Sequence, residues 1–150
     1  MRIVAQRVRR ASVDVEGSRI AEIGPGLLLL IGIAPGDERI DLGKVAKKVV
    51  ELRIFADEEG KMNLSVLEAG GSVLAVSQFT LYADTRKGRR PSFVGAAPPE
   101  VAEPVFDALV GAIASRGIRV ETGRFGARMA VELTNDGPVT LVIEVDPTSP

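Results

Sequence analysis

Apolar and polar residues alternate loosely over 2–15, with valines at positions 4, 8, 13 and 15, and this period of about two predicts a β-strand. Glu16-Gly17-Ser18 has the composition of a hairpin turn and leads to a second expected strand over 19–23. After the Gly24-Pro25-Gly26 break, 27–33 is a short apolar run of buried-strand length, closed by Ala34-Pro35-Gly36. The period then lengthens. Ile40, Val45, Val49 and Leu52 recur near helical spacing, with Lys44, Lys47 and Lys48 largely between them. This predicts a helix to about Leu52 with Asp37 as its N-cap. Asp57-Glu58-Glu59-Gly60 reads as an acidic turn, 72–81 as a second buried strand, and 83–99 as a long polar loop rich in Gly and Pro. Pro98-Pro99-Glu100 opens a second helix with Val101, Val105, Leu109 and Ile113 on one face and Gly117 as its stop. Pro104 falls inside that pattern, so either the helix starts later or its first turns are distorted. Strands are expected over 118–122, 128–134 and 139–145, and 146–150 is a polar tail expected to fray. The pattern contains no repeat and no linker. It specifies one α/β domain over 1–150, strand-rich, with a sheet or barrel-like arrangement and two main helices.

Composition fits this picture and narrows the chemistry. A chain of 150 residues, 45% hydrophobic and 26% charged, has the proportions of a soluble globular domain with its own core. Its longest purely apolar stretch, 27–31, is too short to span a bilayer, so no membrane partner is expected. The opening Met1-Arg2-Ile3-Val4-Ala5-Gln6-Arg7 meets charge before a signal-peptide core forms, and the expected location is the cytoplasm. The chain has no cysteine and no histidine. That removes disulfides, a Cys nucleophile, Cys-based zinc sites, the Ser-His-Asp triad and any imidazole acid or base. A hydrolase built from this chain must use carboxylates, a carboxylate-bound hard metal or preorganised backbone groups. A protein that is no enzyme also fits the composition.

Net charge is −1, so a polyanion contact needs a local patch. Arg7-Val8-Arg9-Arg10 and Arg86-Lys87-Gly88-Arg89-Arg90 are the candidates. Arg86, Lys87, Arg89 and Arg90 suit phosphate neutralisation, against the alternative of a solvated loop. Arg7, Arg9 and Arg10 fit ribose or phosphate contact equally with plain exposure. Ser77-Gln78-Phe79-Thr80 lies where a strand leaves the core, a good place to offer backbone N–H groups and short hydroxyls. Its alternative makes Phe79 and Leu81 core residues and the hydroxyls strand caps. Asn135-Asp136-Gly137-Pro138 is made of turn formers and reads by itself as a hairpin turn between strands ending at Thr134 and starting at Val139. The acidic cluster Asp57-Glu58-Glu59 lacks a convergent partner in the sequence, which favours a solvated turn over a metal site.

Taken together, Ser77-Gln78-Phe79-Thr80-Leu81 and Asn135-Asp136-Gly137-Pro138-Val139-Thr140 resemble the two signature motifs of the D-aminoacyl-tRNA deacylases. Gln6-Arg7-Val8, Gly60-Lys61-Met62-Asn63-Leu64, Arg90-Pro91-Ser92-Phe93 and Thr122-Gly123-Arg124-Phe125-Gly126 follow the same family's order and spacing, so the resemblance covers nearly the whole chain. It implies hydrolysis of the ester joining a D-amino acid, or glycine, to the 3′ adenosine of tRNA. It implies a homodimer in which a cis Gly137-Pro138 enters the partner's site, holds the substrate α-amino group with backbone carbonyls and excludes an L side chain. In that frame Ser77, Gln78, Phe79 and Thr80 form the catalytic segment, with N–H groups around Phe79 and Thr80 as an oxyanion pocket. Thr80 positions substrate there; as a nucleophile it lacks a base. Asn135, Gly137, Pro138, Met129 and Phe125 are the expected substrate-binding residues. Arg7, Arg86, Lys87, Arg89 and Arg90 are expected at the tRNA acceptor end. No redox cofactor, prosthetic group or catalytic metal is implied. The rival reading is a non-catalytic RNA-binding module using the same basic loop.

Overall fold

The long first strand is the axis of the molecule. In this computed structural model, which describes residues 1–148, the chain order is β1 (Arg2–Val15), β2 (Ser18–Ile23), β3 (Gly26–Gly32), α1 (Leu42–Glu51), β4 (Phe55–Ala56), β5 (Met62–Leu64), β6 (Ser72–Ser77), α2 (Pro99–Ala114), β7 (Val120–Thr122) and β8 (Ala130–Glu144). Short 3₁₀ turns occupy Asp37–Arg39 and Phe79–Tyr82. Ser149 and Pro150, part of the expected fraying tail, lie outside the described residues. One edge of β1 pairs with β8 along most of its length. The other edge pairs with β3 over its first half and with β2 over its last. β6 and then β7 extend the sheet in parallel from β3, and β4 and β5 form a separate small ribbon. The sheet curls into a nearly closed, barrel-like form in a mixed α/β domain.

Both faces of the sheet are covered, which explains the unbroken apolar runs in β3 and β6. Leu27, Leu29, Ile31, Val73 and Ala75 face α1 and α2, packing with Val45, Val49, Leu109 and Ile113. Leu28, Leu74 and Val76 face the other way, into a second core with Val8, Val13 and Ile23. β1 changes sides to serve both. Ile3 and Ala5 point into the helix-covered core, whereas Ala11, Val13 and Val15 point into the second. The switch falls at Arg9 and Arg10, which are exposed where the β1–β8 register shifts. An extra residue there inverts the alternation, as a bulge does.

Three expected boundaries are corrected, and the second helix opens where expected. Asp37 does not cap α1. It is buried, with its carboxylate accepting from the Met1 α-ammonium at 2.9 Å and from the Ala34 N–H at 2.7 Å. Asp41 is the cap, accepting from the Lys44 N–H at 3.2 Å. The strand expected over 72–81 ends at Ser77, and the chain turns into the 3₁₀ segment Phe79–Tyr82. The strands expected over 128–134 and 139–145 are one strand, β8. Finally, α2 runs from Pro99 through Pro104 to Ala114. Pro104 lies on the exposed face, so the carbonyl that loses its N–H partner there can be hydrated.

Candidate active site

At the end of β6 the Gln78 N–H donates to the Ile31 carbonyl at 2.8 Å, and the chain then leaves the sheet. Gly32 permits this sharp exit. A Cβ there would stand 3.0 Å from the Leu81 Cβ and 3.1 Å from the Gln78 oxygen, so the turn lies directly on β3. Within the turn the Leu81 N–H donates to the Gln78 carbonyl at 3.3 Å and the Ala83 N–H to the Thr80 carbonyl at 3.0 Å. Among the described residues, the N–H groups of Phe79 and Thr80 have no backbone acceptor, the ordinary condition of the first donors of a helical turn. The Thr80 hydroxyl accepts a hydrogen bond from the Gln78 side-chain amide. An amide is no base, so nothing in this contact activates the hydroxyl as a nucleophile.

A cleft of about 570 Å³ opens beside the turn. Ser77, Gln78 and Phe79 form one wall, Phe125 and Met129 contribute to another, and Pro98, Pro99 and Ala102 bring in the start of α2. Phe79 is not the core residue that the plain strand reading allows. It is 56% exposed and meets Phe93 edge-on with ring centroids 5.1 Å apart. Phe125 is backed by Phe106 at 6.4 Å, which ties that wall to the helix core. Thus five of the expected residues, Ser77, Gln78, Phe79, Phe125 and Met129, share one cleft. Thr80 sits on the same turn, exposed beside it.

The Asn135–Pro138 segment is elsewhere. Gln6 pairs with Thr140 and Val8 with Asn135, so 136–139 are looped out opposite the single residue Arg7. The segment is a wide bulge within β8, not the hairpin turn that its composition suggests. Asn135 fastens its base, its Nδ2 donating to the carbonyls of Arg7 at 2.9 Å and Val139 at 3.1 Å. Gly137 has φ +125°, a conformation side chains rarely adopt, and its peptide bond to Pro138 is cis. Both residues are exposed, and Gly137, Pro138 and Asn135 do not line the cleft.

Arg7 proves to be an internal brace. Its Nη1 donates to the Ile54 carbonyl at 2.6 Å, its Nε donates to the Asp136 carbonyl at 3.2 Å, and the side chain is 13% exposed. Arg9 holds the Asp136 carboxylate from outside at 3.3 Å. Sequence reading missed the bracing role of Arg7 and Asp136. The available signal was an arginine between the inward-facing Ala5 and Val8.

The basic loop hangs from the cleft rim. Asp84 and Ser92 close its neck with N–H to carbonyl bonds of 2.7 and 2.9 Å, and the next residue, Phe93, lines the cleft. Arg86 is already committed, gripping Asp84 through Nε at 2.9 Å and Nη2 at 2.7 Å. These bonds hold the Asp84 carboxyl below the usual carboxylate range. Lys87, Arg89 and Arg90 are exposed, with no ion-pair partner among the described residues. The acidic cluster is a turn. Asp57 accepts from the N–H groups of Glu59 and Lys61 at 2.9 Å and from Asn63 Nδ2 at 2.8 Å, and the Asn63 bond leads in keeping its carboxyl below the usual range. The hydroxyl of Tyr82, the last residue of the 3₁₀ turn, is pushed up to about 12 by burial. Among the described residues no helix is long and apolar enough to cross a membrane.

Comparison with known proteins gives this arrangement a family. Residues 4–144 match the family model described as D-Tyr-tRNA(Tyr) deacylase. A D-aminoacyl-tRNA deacylase of Desulfatibacillum aliphaticivorans is 57% identical over 96% of this chain and 99% of its own length. One from Chloroflexus aurantiacus is 59% identical over 96% of this chain and 90% of its own. The solved structure of a c-Myc DNA Unwinding Element Binding Protein superposes with a TM-score of 0.89 at 40% identity, covering 97% of this chain and 99% of that one. With a family model spanning most of its length and relatives this similar, the chain belongs to the D-Tyr-tRNA(Tyr) deacylase family.

Proposed function

We propose that this protein hydrolyses the ester of D-aminoacyl-tRNA, and of glycyl-tRNA, releasing the free amino acid and tRNA, as a proofreading step that protects translation from D-residues. The observation that carries the reading is the 3₁₀ turn at the cleft lip, whose Phe79 and Thr80 N–H groups have no backbone acceptor among the described residues. Two such donors suit the oxyanion of a tetrahedral intermediate, a contribution worth several kcal/mol in a preorganised site (roughly 3–4 per donor). The substrate is an activated ester with a neighbouring 2′-hydroxyl. Placement and charge stabilisation then supply the catalysis without histidine, which the chain lacks. Thr80, bonded to Gln78, orients substrate and turn.

Chirality is set by Gly137 and Pro138, whose backbone carbonyls receive the α-amino group so that an L side chain collides with the dipeptide. Glycine has nothing to exclude and passes. Within one chain the dipeptide stands too far from the cleft. Val131 lines the cleft, and Gly137 lies six residues farther along β8. At about 3.3 Å per residue that is roughly 15–20 Å. A second copy related by a two-fold axis supplies it, giving two equivalent sites per homodimer. Lys87, Arg89 and Arg90 meet the phosphates of the acceptor end beside the cleft.

The test is direct. Purified protein is incubated with D-Tyr-tRNA, Gly-tRNA and L-Tyr-tRNA, and release of amino acid is followed. The first two are expected to be hydrolysed and the third to remain intact. Equal rates on the D and L esters would remove the chiral role of Gly137 and Pro138. Binding of tRNA without hydrolysis of any ester would leave a non-catalytic RNA-binding module.

A further inference from the structure

We propose that Arg2 is a positioning residue for the Phe79–Tyr82 turn, holding from outside the cleft the backbone donors that the proposed hydrolysis uses. This rests on that functional reading for its consequence but not for its geometry. Arg2 Nη1 donates to the Leu81 carbonyl at 3.0 Å, and its guanidinium carbon lies 4.8 Å from the centroid of the Tyr82 ring. It does not line the cleft. Its contacts thus reach the reaction only through the turn.

The grip is firm because the backbone of Arg2 is itself fixed. Arg2 pairs with Gly32 on one side and Glu144 on the other. Before it, the Met1 α-ammonium is buried against Asp37 and donates to the Val145 carbonyl at 2.8 Å. Gly32, the residue beside Arg2 in the sheet, is also the surface on which the turn rests. The turn is therefore held between the bare backbone of Gly32 and the guanidinium of Arg2. Leu81 transmits the hold. Its carbonyl accepts from Arg2, while its N–H donates to the carbonyl of Gln78. That carbonyl belongs to the peptide unit whose N–H is that of Phe79, one of the two free donors. A carbonyl at the end of a helical turn lacks an intrahelical donor, and a cation there also suits the turn's dipole.

Arg2→Ala, Arg2→Lys and Glu144→Gln variants of the full chain test this. Three quantities are read: kcat and KM on D-Tyr-tRNA, and amide hydrogen exchange at Leu81 and Ala83 by NMR. Arg2→Ala is expected to accelerate exchange at both amides about tenfold or more. It is expected to lower kcat by roughly ten- to a hundredfold, because a misplacement of about 1 Å can carry a cost of that order. KM should stay within about twofold, since the phosphate and cleft contacts are untouched. Arg2→Lys keeps a cation beside Leu81 and Tyr82 and should restore part of both kcat and protection. Glu144→Gln, which alters only the exposed partner of Arg2 at 2.9 Å, should resemble the parent. Unchanged exchange at Leu81 and Ala83 in Arg2→Ala overturns the proposal, as does unchanged kcat. If the parent protein leaves D-Tyr-tRNA intact while exchange still rises in Arg2→Ala, the hold on the turn stands and the functional reading falls.

Discussion

Thr80 shows how far one side chain can be read. Its hydroxyl sits at the lip of the cleft bonded to the amide of Gln78, which orients it and cannot deprotonate it. Thr80→Ala removes one neutral hydrogen bond, worth about 1–1.5 kcal/mol, and should slow hydrolysis roughly tenfold without abolishing it. No covalent acyl-enzyme should form. Trapping an aminoacyl adduct on Thr80 by mass spectrometry would restore the nucleophile model. Of the residues that line the cleft, Ser77, Gln78, Phe79 and Phe125 were legible because they fall in local motifs, and Met129 only through the family resemblance. Arg7 and Arg86 were legible only as charges. What absorbs those charges is not local for Arg7: the Ile54 carbonyl and Asp136 reach it from distant parts of the chain. For Arg86 the partner is two residues away, and the Asp84 side chain could have been noticed as a clamp.

At the scale of elements, burial on both faces made β3 and β6 readable from composition alone, whereas the ends of elements were set by contacts that composition does not contain. Past Ser77 the sequence alternates as a strand would, Gln78-Phe79-Thr80-Leu81, yet the chain turns off there onto the bare surface of Gly32. The same dependence on glycine holds at the other end of the β3–β6 pair. A Cβ on Gly26 would lie 1.8 Å from the backbone oxygen of Ser72, which cannot move without parting the two strands. Gly26→Ala should therefore cost about 3 kcal/mol or more, read as a lowered denaturation midpoint or as loss of folded protein. A midpoint within error of the parent would mean that the strands separate easily there. The basic loop is the opposite kind of element, bound to the body by its neck and free in its charges. Neutralising Lys87, Arg89 and Arg90 together should leave folding intact. It should reduce the salt slope of tRNA binding by roughly 2, at about 0.7 per contact on single-stranded nucleic acid. Arg86→Gln alone should change the slope less, because Asp84 already balances that charge. An unchanged slope in the triple variant would move the RNA contact elsewhere, with Arg9 and Arg10 next in line.

For the molecule as a whole, the decisive matter is that one chain holds the Phe79–Tyr82 turn and the Gly137-Pro138 bulge in separate places. Composition described the bulge as a hairpin connection; the pairing of β1 with both halves of β8 makes it a projection from a continuous strand, braced by Arg7 and Asn135. A brace of that kind serves a rigid feature presented outward, and a wall that rejects one enantiomer must be rigid to discriminate. If the wall serves a partner's cleft, the dimer is the unit of function, and the protein should run in solution at about twice its 15.9 kDa chain mass. Complementation separates this from the alternative in which each chain works alone. One variant carries Gly137→Ala and Pro138→Ala; the other carries substitutions at Ser77, Phe79 and Thr80. Each alone should be inactive or unselective. After subunit exchange, a heterodimer contains one site built from the intact turn of one chain and the intact bulge of the other. Selective hydrolysis of D-Tyr-tRNA should then recover to at most half the parent rate per heterodimer. Heterodimers proven by native mass spectrometry that recover nothing would place both motifs in service of the same chain, and the shared-site model would fail.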